Sequence, residues 1–188
     1  QIIGRDGVAC NGIIHAVDEV LLPTLVETPI LAPPVEVEDE ETGCDGSLAE
    51  VLCSLPQFSI VCSLIETAGL TDALSGEDTY TVFAPVNSAF VSLPVAVPEI
   101  TNASLLPFVI LSHVVEGQVF SFNLSCGGEV TMASGATTNT TCVDDDLYQV
   151  GTANAADDLP KIISTDDVAC NGVIHGIDQV IIPEEIIA

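Results

Sequence analysis

Positive charge is almost missing from this chain. Of 188 residues only Arg5 and Lys161 are fixed cations, against 28 acidic residues and a formal net charge of −26. Nucleic-acid binding draws its affinity from cations that neutralise phosphates, so this balance argues against it. Docking on anionic lipid headgroups is disfavoured for the same reason. Long apolar runs are missing too. The richest stretch, LLPFVIL at 105–111, is interrupted by Pro107 and falls short of the ~18 residues that span a bilayer. No basic start leads into an apolar signal core, so any signal peptide or anchor is expected outside these residues. The seven cysteines form no C-x-x-C pair, which removes the usual zinc and thioredoxin spacings. A nucleophile elbow, a glycine-rich phosphate loop and an EF-hand spacing are also absent, and catalysis is disfavoured.

What is present points elsewhere. Apolar residues make up 48% of the chain, enough for a real core, and that richness separates it from acidic disordered segments. A strongly acidic surface suits a saline medium that screens self-repulsion. Cysteines at 10, 44, 53, 62, 126, 142 and 170 accompany Asn-x-Ser/Thr sequons at Asn102, Asn123 and Asn139. Together they indicate an oxidising, extracellular setting with glycosylation.

One motif occurs twice. QIIGRDGVACNGIIHAVDEVLLP at 1–23 and KIISTDDVACNGVIHGIDQVIIP at 161–183 match at 13 of 23 positions. Their separation of 160 residues is a domain length rather than a solenoid period. Residues 1–23 are therefore expected to be the closing segment of a preceding domain. Residues 24–43, TLVETPILAPPVEVEDEETG, join prolines to an acid run and read as a semi-rigid linker. Residues 44–188 are left as one complete domain.

Within that domain Leu48, Val51, Leu52 and Leu55 keep helical spacing up to Pro56, and a second helix is expected over 58–68 with Gly69 as its break. A short helical turn, TDALSG, precedes a strand over 79–84. Asn87 is placed to cap a helix bearing Ala89, Phe90 and Leu93, and another helix over 103–112 is expected to kink at Pro107. Strands are predicted at 113–116, 118–124, 129–133, 147–150, 161–169 and 172–182, with 134–146 as a loop. Helices first and strands last make the class α+β. Both faces of 172–182 are mainly apolar, so this strand should be central and covered twice.

Three segments, in this order, resemble the fasciclin-type domain of extracellular adhesion proteins. TYTVFAPVNSAF at 79–90 resembles the family's first conserved block, LSHVVEGQV at 111–119 its Tyr-His block, and NGVIHGIDQVIIP at 171–183 its second conserved block. The resemblance implies N-terminal helices packed on a twisted wedge or sandwich of about seven strands. It marks Phe83, Pro85, Asn87, Phe90, His113, Asn171, Gly172, His175 and Asp178 as motif residues that shape the fold. Ser112 stands where the family block has tyrosine, so a Tyr-dependent integrin contact does not carry over. Some animal members bear Glu-Pro-Asp-Ile-Met before the second block; here 164–168 retain only the acid, Asp166, as an adhesion contact.

His113, His175 and Cys170 are a poor zinc set, because positions 170 and 175 fall on opposite faces of a regular strand. Asp144, Asp145 and Asp146 read as a solvated turn, with weak calcium binding as the alternative; no other cofactor is implied. Of the cysteines, 126 and 142 flank a short segment and are the favoured bridge, one that could contribute about 3 kcal/mol. Pairings among 44, 53, 62 and 170 stay open, and Cys10 corresponds to Cys170 of a previous unit. The function expected is a non-enzymatic adhesion or matrix protein of tandem domains, contacting adjacent fasciclin-like domains or other extracellular proteins. The alternative is a filament subunit, a homo-polymer in which 1–23 docks on a neighbouring chain.

Overall fold

The computed structural model describes residues 44–91, 93, 102, 104–156 and 159–184, together with the backbone of 7–9 and 12–14. The chain divides into two compact units, Gln1–Glu40 and Glu41–Ala188. In the first, strands β1 (Gly7–Ala9) and β2 (Gly12–Ile14) form an antiparallel hairpin.

The second unit opens with helix α1 (Leu48–Ser54), which a capping box begins. The Ser47 N–H donates to Glu50 Oε2 at 2.8 Å and the Glu50 N–H to Ser47 Oγ at 3.4 Å. These Ser47 groups hold the Glu50 carboxyl below the ordinary carboxylate range. A single 3-10 turn, Pro56–Phe58, leads into α2 (Ser59–Ala68). Gly69 ends α2 in the left-handed region at φ 70°, where a Cβ would be penalised. Cys53 and Cys62 bond α1 to α2, and the short α3 (Thr71–Leu74) follows.

Strand β3 (Tyr80–Pro85) then enters the centre of a four-stranded sheet. Helix α4 (Leu106–Leu111) and strand β4 (Val114–Glu116) come next. A meander follows, of β5 (Glu129–Thr131), β6 (Thr137–Val143) and β7 (Asp146–Gly151). The last hairpin is β8 (Ile162–Ala169) and β9 (Gly172–Ile177). The large sheet has the order β4-β3-β9-β8, and β3 and β9 run parallel with Phe83 opposite His175. The meander forms a separate three-stranded sheet.

Strand alternation explains the two cores. Val82, Ala84 and Ile174 face α1, α2 and α4, joining Leu48, Leu52, Ile65, Leu106 and Ile110. Phe83 and Ile177 face the other way, with Val115, Met132, Ile162 and Ile181. Every residue of β9 is buried, as a central strand covered on both faces requires. The described strands of this unit number seven, and the α+β layout of helices packed on strands holds.

The structure departs from the sequence pattern at several places. Residues 118–124 are not a strand: Gly117 takes φ 88° and the Val119 N–H donates to the Thr81 hydroxyl, so the chain leaves the sheet and makes a 3-10 turn at Ser121–Asn123. Residues 134–146 are not a loop throughout, because β6 occupies 137–143; its β-branched threonines suit a pleated surface. β9 stops at Ile177 rather than 182. Pro107 causes no kink within the described helix, since it lies in the first turn of α4, where its missing N–H costs nothing.

Candidate functional site

The motif residues converge on the closing hairpin β8–β9. The turn that joins its strands carries Asn171, which is 6% exposed and acts as a hub. Its Oδ1 accepts from the Leu48 N–H at 2.7 Å, satisfying an orphan donor at the start of α1. Its Nδ2 donates to the carbonyls of Leu74 and Gly76 at 2.9 and 3.0 Å, which holds the end of α3. Gly172 sits where a Cβ would collide with Leu48 Cδ1 and the Tyr80 carbonyl, so close contact demands a glycine there. Cys44 bonds to Cys170 beside the hub, closing a loop of 126 residues.

His175 lies at the centre of β9, wholly buried, with its ring stacked on Phe83 at 5.3 Å. Nε2 is 2.8 Å from the Val119 carbonyl, and Nδ1 accepts from the Asp166 N–H at 3.3 Å. With these partners Nδ1 is the acceptor and Nε2 the donor. Asp166 takes φ 62° and turns its carboxylate onto Ser121, accepting from the N–H at 2.8 Å and from the hydroxyl. The acid retained from the adhesive pentapeptide is thus engaged within the fold.

His113 follows α4 and is 4% exposed. Nδ1 is 2.8 Å from the Val109 carbonyl, and Nε2 accepts from the Ile181 N–H at 3.0 Å. Burial pushes its pKa from 6.5 down to about 4, with the Val109 hydrogen bond opposing weakly. Both described histidines spend both ring nitrogens on the backbone, and Cys170 is oxidised, so this set has no lone pair for zinc. Among the described residues, the grouping of ligating side chains is Cys53, Cys62 and Glu66; its two sulfurs are bonded to each other and offer no thiolate.

Asn87 does not cap the turn that follows β3. Val86 occupies the N-cap of that 3-10 turn, Asn87–Phe90, and makes no side-chain cap. Asn87 reaches back instead: Oδ1 accepts from the Ile60 N–H at 3.0 Å, and Nδ2 donates to the Pro56 carbonyl at 3.0 Å. It caps α2, whose own N-cap residue, Phe58, provides no side-chain acceptor. Pro85 ends β3, and Phe90 packs half-buried against the helical core. Asp178 ties the two ends of the hairpin together, its Oδ1 accepting from the Lys161 N–H at 2.8 Å.

Lys161 in turn pairs with Asp146 at 2.6 Å, and that hydrogen bond raises its pKa. The Asp144–Asp145 turn is tight, with Asp144 at φ 54°, and one of the three acids considered for calcium already has a cation. Cys126 and Cys142 are bonded to each other. Cys10 lies outside the described residues. The side chains of Asn102, Asn123 and Asn139 are exposed.

Two polar elements escaped the reading of the sequence. Thr81 is fully buried in β3, donating to the Gly117 carbonyl and accepting from the Val119 N–H, both at 2.8 Å. Thr138, Thr140 and Gln149 form a buried chain across β6 and β7, with links of 2.6 and 2.8 Å. A threonine alternating with apolar residues signals the first; nothing short of the β6–β7 register signals the second.

Comparison with known proteins agrees with this geometry. Residues 56–183 match the family described as Fasciclin domain. Protein sll1483 of Synechocystis is 36% identical over 151 residues, covering 78% of this chain and 79% of that protein. Human periostin is 29% identical over 190 residues, covering 98% of this chain; the match spans only 19% of periostin's length. Among solved structures, a FAS1 domain pair from the insect cell adhesion molecule fasciclin I superposes with a TM-score of 0.62 at 16% identity, covering 100% of this chain and 61% of that one. A match of family and fold over most of the chain, centred on the hairpin that its motifs build, means that this chain belongs to the fasciclin domain family.

Proposed function

We propose that this chain is a section of an extracellular, non-enzymatic adhesion or matrix protein built of tandem fasciclin domains, which works by contact with neighbouring domains and other extracellular proteins. The observation that carries the tandem reading is the twin of the closing hairpin. In β1–β2 the pairs are Gly7 with Ile14, Val8 with Ile13 and Ala9 with Gly12. Adding 160 to each number gives three pairs of β8–β9: Asp167 with Ile174, Val168 with Val173 and Ala169 with Gly172.

A compensating pair adds to this. In β8–β9 the Ser164 hydroxyl fills the space where a Cβ on Gly176 would go, and it accepts from the Gly176 N–H at 3.1 Å. The first copy has Gly4 and Ala16 at these two positions, so the small and the larger residue have changed places. On this reading 1–23 close a preceding domain, 24–43 are the spacer and 44–188 the next unit. The periostin match, which runs through nearly the whole chain, supports the same order.

Three disulfides and three exposed sequon asparagines support an extracellular location. The use of both described histidines as structural hydrogen-bonding groups favours contact over catalysis. The insect relative is a cell adhesion molecule, which supports adhesion as the class of work. The test has two arms. A reducing gel of the native polypeptide should show a length of several 160-residue units, and beads coated with this chain should aggregate or capture cells. A native polypeptide no longer than this chain would sink the tandem reading, and inert beads would sink adhesion. Concentration-dependent growth of the chain in sedimentation would favour the filament subunit instead.

A further inference from the structure

We propose that Asn123 carries an N-linked glycan whose first sugar lies over the stacked rings of Phe120 and Phe122, a contact that rests on the extracellular reading above. Phe122 is 80% exposed, the one aromatic among the exposed large apolar side chains of the described residues. Covering this apolar area with a partner would be favourable. Its ring is nearly parallel to that of Phe120, with centroids 5.5 Å apart and planes 6° from each other.

The local turn puts a sugar attachment point beside these rings. The Asn123 N–H donates to the Phe120 carbonyl at 2.8 Å, closing a four-residue turn with Phe120 first and Asn123 fourth. The Cα atoms at the two ends of such a turn lie within about 7 Å. The second residue, Ser121, is clamped through its N–H and hydroxyl by the Asp166 carboxylate, and Leu124 packs against the core on the far side. The turn is therefore held in place before any sugar arrives. Asn123-Leu124-Ser125 supplies the acceptor sequence, and the Asn123 side chain is exposed.

Attachment joins Asn123 Nδ2 to the anomeric carbon of an oligosaccharide donated by a lipid-linked diphosphate. The bond from that carbon to the diphosphate oxygen breaks, the lipid diphosphate leaves, and the amide gives up one proton. A pyranose has one face made of C–H groups, and these polarised hydrogens are attracted to the electron-rich face of an aromatic ring. Stacking also removes apolar area of both partners from water. The other two sequons lack this arrangement among the described residues: Asn139 lies inside β6 opposite Glu129 and Val150, and Asn102 accepts from the Ser104 N–H.

The test uses the whole chain secreted from a glycosylating eukaryotic cell, as wild type, Asn123→Gln, Phe122→Ala and the double variant. Phe122 is largely exposed, so its replacement leaves folding intact. Glycopeptide mass spectra should show sugar on Asn123. Loss of the glycan through Asn123→Gln should lower Tm by about 4 °C in the wild-type background and by less than about 1 °C in the Phe122→Ala background. Proton NMR should show sugar resonances moved upfield by the rings, and the shift should vanish in Phe122→Ala. Equal losses of Tm in both backgrounds would overturn the contact, as would a bare Asn123 alongside glycosylated Asn102 or Asn139. A chain with no sugar on any of the three would overturn this proposal and leave the extracellular reading to its own test.

Discussion

Acidification should destabilise this domain through one residue. His113 has its Nε2 occupied as an acceptor for the Ile181 N–H, and Nδ1 donates to the Val109 carbonyl. A second proton would turn Nε2 into a donor facing another donor, in a site without solvent. Its folded pKa of about 4 lies below the unfolded value of 6.5. The unfolded chain therefore takes up a proton between these values while the folded chain does not, and stability falls as pH falls. Its contribution is fully present above pH ~6.5 and is lost down to about pH 4. Linkage puts the loss at about 2 kcal/mol between pH 7 and pH 5, and about 3 kcal/mol over the whole window. Relief of repulsion among 28 acidic residues acts in the opposite direction, so the readout is a difference between two proteins. Urea unfolding of wild type and His113→Gln should be followed by circular dichroism at pH 7, 6 and 5. Urea is preferred because guanidinium would screen the charges. The variant should start less stable but lose about 2 kcal/mol less on going to pH 5. Parallel pH profiles, or an NMR titration placing His113 near 6.5, would refute the reasoning.

Other perturbations give sharper, simpler outcomes. Asn171→Ala removes three hydrogen bonds that join the hairpin to α1 and α3, at a cost of about 3–5 kcal/mol; a thermal melt within 2 °C of wild type would contradict the hub. Gly172→Ala forces a Cβ onto Leu48 and the Tyr80 carbonyl and should cost about 3 kcal/mol or more, so a variant that melts like wild type would show that the close approach is relaxed. Titrating calcium to millimolar levels should give no heat and no change in melting temperature, because Asp146 is already paired with Lys161; a saturable binding curve lost in Asp144→Asn would restore the cation site.

Much of this fold can be read from spacing. Helix breaks at Pro56 and Gly69 depend on backbone rules that act within a few residues, and the structure places α1 and α2 accordingly. The double apolar pattern after Gly172 reports a strand covered on both sides, which is where β9 lies. What stayed hidden depends on partners distant in sequence. Asn87 has the chemistry of a cap, but only the tertiary fold shows that it caps α2, 27 residues upstream at Ile60. Residues 137–143 are polar enough to read as a loop, and they become a strand because Thr138 and Thr140 find Gln149 across the hairpin. The roles of both described histidines follow the same rule, since their partners Val119 and Ile181 lie 56 and 68 residues away.

The parallel pairing of β3 with β9 has a consequence for synthesis. β3 is complete at Pro85 and its antiparallel neighbour β4 at Glu116, but its parallel neighbour begins only at Gly172. A growing polypeptide must therefore wait for nearly ninety more residues to leave the ribosome before its central sheet can form. At cellular translation speeds that interval is roughly five to twenty seconds, during which β3 lacks its parallel partner and one of its edges stays open. Premature termination anywhere before this last hairpin leaves an open cleft rather than a slightly shorter protein. In a repeating polypeptide each unit would lock only as its final two dozen residues emerge, so maturation would advance unit by unit from the amino terminus.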